Sequence, residues 1–168
     1  MTAKLYSMML ALALVLILMV STLNSPLLRA LGQGTTQQSE QSFVSSFEGI
    51  VKEAQLLTHD YDVQVEKWGR GEHNNATMAS ITDNYLPKYE DLIKKTEDLR
   101  PSTRYENVSK LYAKSLQSEL NSHIHFRNYL VTRNITENEA SVQSLSDALK
   151  YEMDSFGAFK SASKTNIK

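Results

Sequence analysis

From Phe43 onward the apolar side chains recur at alternating intervals of three and four, the spacing that places them on one face of an α-helix. Phe43, Phe47, Ile50, Ala54, Leu57, Tyr61, Val65 and Trp68 make the first such stripe, which Gly69-Arg70-Gly71 ends. After a loop at His73-Asn74-Asn75, a second stripe runs through Met78, Ile81, Tyr85, Tyr89, Leu92, Thr96 and Leu99. Pro87 lies inside it and is expected to bend or split that helix, and Pro101 closes it. Thr103 with Glu106 has the form of a capping box ahead of a third stripe at Val108, Tyr112, Leu116, Leu120, Phe126 and Leu130. Thr136 with Glu139 repeats the form ahead of Val142, Leu145, Leu149, Met153, Phe156 and Phe159. Four amphipathic helices with short connections predict an all-α, antiparallel up-down-up-down four-helix bundle over residues 42–160, followed by a polar tail at 161–168.

Before residue 32 the pattern is different. From Leu5 to Leu23 the chain is almost entirely apolar, about 19 residues or roughly 28 Å as a helix, enough to cross a bilayer. No small-residue cleavage site follows the apolar core at the right distance, so residues 1–31 are expected to be a transmembrane anchor, or uncleaved signal, and its flank. Lys4 is the one charge ahead of the span, which places the N-terminus in the cytoplasm and the remainder on the outer face of the cell membrane as a single-pass protein held by membrane lipid. The polar stretch 32–41, GQGTTQQSEQ, reads as a flexible tether. On this topology the first and third interhelical loops lie at the end far from the bilayer.

Composition narrows the function classes. Of 18 lysines and arginines, Lys4 and Arg29 belong to the apolar part, leaving 16 against 19 acidic residues in the exported part, no footing for nucleic acid. The absence of cysteine removes disulfides, thiol nucleophiles and cysteine-ligated metals. No nucleophile elbow, phosphate loop or dinucleotide fingerprint is present, so no catalytic residues and no cofactor are assigned.

One irregularity stands out on the third helix. Glu119, His123 and Arg127 follow at i, i+4 and i+8 near the centre of the apolar arc, and are expected to point inward at the level of Thr58, Tyr61 and Tyr85 to Tyr89. Buried charge is costly unless paired, so a polar network is expected there, either purely structural or a pocket in which Arg127 holds an anion or carboxylate beside His123, Tyr61 and Tyr85. No metal site is assigned, because His59 and His125 project outward and no second Glu-x-x-His pair exists. Asn75, Asn107 and Asn134 open N-glycosylation sequons, with Asn75 and Asn134 in the distal loops.

The passage from Leu99-Arg100-Pro101 through Tyr105-Glu106 to Leu111-Tyr112 resembles a pattern found in uncharacterised, membrane-anchored extracytoplasmic helical-bundle proteins of archaea and bacteria, with one proline at the turn where two are frequent. The resemblance implies an extracytoplasmic bundle and carries no catalytic residues. The leading expectation is a non-enzymatic, membrane-anchored interaction or structural module. The alternatives are a small-ligand binding or sensing domain built on the inward polar row, and an accessory subunit of a larger membrane complex.

Overall fold

The structure, a computed structural model, describes the backbone of residues 36–164 and the side chains from Glu40 on. The apolar run, the first part of the expected tether and the last four residues lie outside it. Among the described residues there are four helices and no strand: α1 Thr36–Gly69, α2 Asn75–Glu97, α3 Glu106–Thr132 and α4 Ile135–Lys164. None is long and apolar enough to cross a membrane. Side-chain pairs fix the directions. Trp68 with Asn75 and Glu53 with Lys95 run α1 against α2, Asn75 with Leu130 and Tyr89 with Glu119 run α2 against α3, and Ser122 with Ser141 and Val108 with Ser155 run α3 against α4. Each neighbouring pair is antiparallel, as the stripes predict.

The helix boundaries follow from local chemistry. Gly71, at φ 80°, takes the left-handed position that closes α1, so that the amides of Glu72 and Gly71 reach back to the carbonyls of Lys67 and Trp68, both at 2.9 Å. Asn74 caps α2 by accepting from the Thr77 amide at 2.9 Å. Pro87 sits exposed within a single continuous α2, so the helix is not split. The two expected capping boxes do not form. Tyr105 occupies the position before α3 without a side-chain cap, its amide bonded to the Ser102 carbonyl, while Asn134 caps α4 by accepting from the Thr136 amide at 3.1 Å. Residues 36–41 of the expected tether are helical, and Glu40 accepts from Ser102 at 3.1 Å and Arg104 at 3.3 Å. Residues 161–164 of the expected tail continue α4.

The core has two parts along the bundle axis. One gathers Phe43, Phe47, Ile50, Tyr105, Val108, Tyr112, Leu116 and Phe159, with Phe47 stacked on Phe159 at 5.5 Å and edge-on to Tyr112 at 5.2 Å. The other, toward the 70–74 turn, gathers Tyr61, Val65, Met78, Phe126 and Leu130. The stripe of α3 is buried as predicted and that of α1 too, with Leu57 and Trp68 partly buried against the core, but α4 is rotated over its first part, Phe156 and Phe159 alone of its expected stripe reaching the core. Its buried positions are Asn138, Ser141, Ala148, Ser155, Phe159 and Ala162. The small residues Ser141, Ala148, Ser155 and Ala162 repeat every seventh place and meet Ser122 and Ser115 of α3, with the Val108 backbone one repeat further on. Side chains this small let the backbones approach, so Ser115 donates to the Ala148 carbonyl at 2.8 Å and Ser155 to the Val108 carbonyl at 2.9 Å. As a result Val142, Leu145 and Leu149 are only half-buried and belong to neither part of the core, and Met153 is 59% exposed.

Candidate functional site

Between the two apolar cores lies a polar centre. Glu119, on the inner face of α3, is 12% exposed and is met by hydroxyls from two other helices: Thr58 of α1 donates to its Oε1 at 2.7 Å and Tyr89 of α2 at 3.0 Å. One turn on, the His123 ring lies between the rings of Tyr61 and Tyr89, with centroids 4.2 and 4.7 Å away. Its Nε2 is 3.8 Å from Glu119 Oε1, beyond hydrogen-bond reach, and is buried with no hydrogen-bond partner. Tyr61 extends the network: the Thr82 hydroxyl spends its proton on the Met78 carbonyl at 2.9 Å, so Tyr61 is the donor in the 2.9 Å contact between the two hydroxyls.

Two of the five residues expected to line a ligand pocket stand elsewhere. Arg127 turns to the surface and forms a two-pronged pair with Asp83 of α2, at 3.0 and 3.2 Å, with side chains 38% and 45% exposed. The reason is helical drift: residues four apart advance by about 40°, so the eighth residue after Glu119 lies about 80° round the helix, on the flank facing α2. Tyr85 packs edge-on against Tyr61 at 5.1 Å and lies under the Lys88 ammonium at 4.3 Å, and Tyr89 takes the place expected for it at Glu119. Glu119, His123 and Tyr61 are brought together; a cation to hold an anion is not.

The charge at this level is acidic instead, through two residues that the sequence reading passed over. Burial pushes the Asp62 carboxyl up to about 7, aided by Glu119 and Glu66, and burial with Glu119 does the same to Glu152, also about 7. Burial is likewise the main cause that holds the Tyr89 and Tyr112 hydroxyls protonated well beyond the ordinary range. The signal for Glu152 was present in the sequence, since it interrupts the apolar series Leu145, Leu149, Phe156 at core spacing. Asp62 had a weaker one, lying about 100° round the helix from Tyr61.

The remaining candidates separate on geometry. His125 and Glu137 pair at 2.8 Å across α3 and α4, and His73 contacts Gln64 at 3.2 Å. Among the described residues no cluster of three or more His, Asp or Glu side chains is arranged to hold a metal ion. The Asn75 amide accepts from Trp68 Nε1 and donates to the Leu130 carbonyl, both at 3.0 Å, so the nitrogen that would carry a glycan is already engaged. Asn107 and Asn134 are exposed. A shallow groove of about 790 Å³ where α2 ends and α3 begins mixes Glu97, Arg100, Glu106, Lys110 and Lys114, with no single sign of charge.

No protein-family model, curated protein or solved structure matches the chain.

Proposed function

We propose that the chain is a non-enzymatic, membrane-anchored protein whose helical domain, carried on the outer face of the cell membrane by the apolar span at 5–23, works as an interaction module. The observation that carries this reading is the α4 stripe of Val142, Leu145, Leu149 and Met153, apolar side chains at helical spacing that belong to neither part of the core, the first three partly buried and Met153 59% exposed. The polar centre supports the same reading from the other side. Glu119 is satisfied by Thr58 and Tyr89, and Arg127, which an anion pocket would need, is paired with Asp83. An accessory subunit of a membrane complex is this reading with the partner held in the same bilayer.

Purification of the full chain from its native membranes in mild detergent tests the proposal. A second polypeptide in fixed stoichiometry, and a particle larger than the monomer, are the expected results. A chain that elutes alone as a monomer at every detergent concentration would sink it. Protease added to intact cells should digest residues 42–160, and their protection would remove the topology.

A further inference from the structure

The stripe on α4 has a particular opposite number. Phe47 stacked on Phe159 sets the antiparallel register of α1 against α4, which brings Asp62 level with about Ser144 and Leu145 and Glu152 level with about Ala54 and Gln55. Here α1 and α4 stand apart and meet through long side chains rather than by close backbone approach. On a helical wheel the flank of α1 turned toward α4 carries Gln55, Asp62 and Glu66, while the flank of α4 turned toward α1 carries Val142, Leu145, Leu149 and Glu152. One wall is apolar and the other is polar and acidic. Glu152 falls three places after Leu149 and four before Phe156, where a coiled-coil seam would have an apolar residue.

The charge is unbalanced as well. From 55 to 66 α1 contains no lysine or arginine, and from 142 to 152 α4 contains one, Lys150, which lies about 160° round the helix from Glu152. Among the described residues no ion pair joins Asp62 or Glu152 to a cation, and the charges that act on them are acids, Glu119 and Glu66 on Asp62 and Glu119 on Glu152. Resting on the interaction-module reading above, we propose that the α1–α4 flank is the docking site for an amphipathic helix of another protein, with apolar residues at heptad spacing against Val142, Leu145 and Leu149 and with lysines or arginines meeting Asp62 and Glu152. Charge complementarity selects this occupant. A second copy of the same face would set acid against acid, and an anionic lipid surface would be repelled. The stripe from Val142 to Met153 is about 17 Å long, so three turns of partner helix cover it.

The test uses the full chain in phosphatidylcholine nanodiscs at pH 8 and two labelled 21-residue peptides, each with leucine at both core positions of the heptad. One carries lysine on the flanking positions and the other glutamate, with empty nanodiscs as the blank. Fluorescence anisotropy should give at least tenfold tighter binding of the lysine peptide. Leu149→Asp should weaken it tenfold or more, and Met153→Asp, at a site too exposed to disturb the core, should weaken it by a smaller factor. The double variant Asp62→Asn, Glu152→Gln should keep binding but lose the preference for lysine over glutamate. Equal binding of the two peptides, no binding of either, or binding unmoved by both stripe variants overturns the proposal. A dimer in sedimentation that Met153→Asp dissolves would give the face to a second copy and overturn it too. If the native co-purifying polypeptide survives Leu149→Asp, the module stands and its assignment to this flank fails.

Discussion

Asp62 and Glu152 make the folded state respond to pH through single side chains. Both carboxyls are raised by burial to about 7, whereas in the unfolded chain they titrate near the ordinary carboxylate values of about 4. Between those limits the folded protein binds more protons than the unfolded one, so stability rises as pH falls from about 8 toward 5 and is lost as pH climbs through 7. Thermal melts at pH 5.5 and 8.0 should differ by on the order of several degrees in favour of the acid condition, and Asp62→Asn with Glu152→Gln should remove most of the difference. Glu119→Gln keeps an acceptor for Thr58 and Tyr89 while removing the charge that opposes both carboxylates, so it should move the transition to lower pH. Arg127→Glu meets a different environment. Because the Arg127–Asp83 pair is exposed, the variant should remain folded and lose about 1 kcal/mol or less in urea denaturation. Unfolding of that variant would mean that the arginine is structural after all.

At the scale of the element, α1 and α3 were legible because their buried faces are written in Phe, Tyr, Leu and Val, side chains whose burial contributes about 1.5–3 kcal/mol each for the larger apolar types. The face of α4 was not, since Ser141, Ala148, Ser155 and Ala162 carry almost no hydropathy and bind α3 by closeness and by hydroxyl-to-carbonyl bonds. A reading that follows large apolar residues selects the neighbouring flank instead. The same limit applies to the polar row: spacing identified Glu119 and His123, but whether Arg127 followed them depended on 80° of accumulated drift. Substitutions should reproduce this division. Ala148→Leu forces a large side chain between two closely packed backbones and should cost about 1–3 kcal/mol or more. Leu149→Ala, one residue on, removes as many carbons as Ala148→Leu adds but should cost less, because Leu149 lies outside the core. Equal losses in paired denaturation curves would refute the assignment of the inner face.

For the whole molecule, the two apolar cores on either side of the polar centre hold four antiparallel helices with two sequon asparagines exposed and one built into the scaffold. Expressed in a host with N-glycosylation machinery, the chain should lose glycan mass on Asn134→Gln, whereas Asn75→Gln should leave the glycan mass unchanged and lower the melting temperature. The matching rows on α3 and α4 have a last consequence. Because small residues return every seventh place along α4 and Ser115 and Ser122 are seven apart on α3, sliding one helix past the other by one repeat, about 10 Å, would again set both α3 serines against small residues. What forbids the slide is the joint, since Arg133 and Asn134 alone separate Thr132 from Ile135, with Arg133 in a left-handed conformation at φ 60°. Six or more glycines and serines inserted between Arg133 and Asn134 should therefore admit a second alignment, visible as doubled amide signals for Ser115 and Ala148. The hinge between these helices is the ruler of the pair.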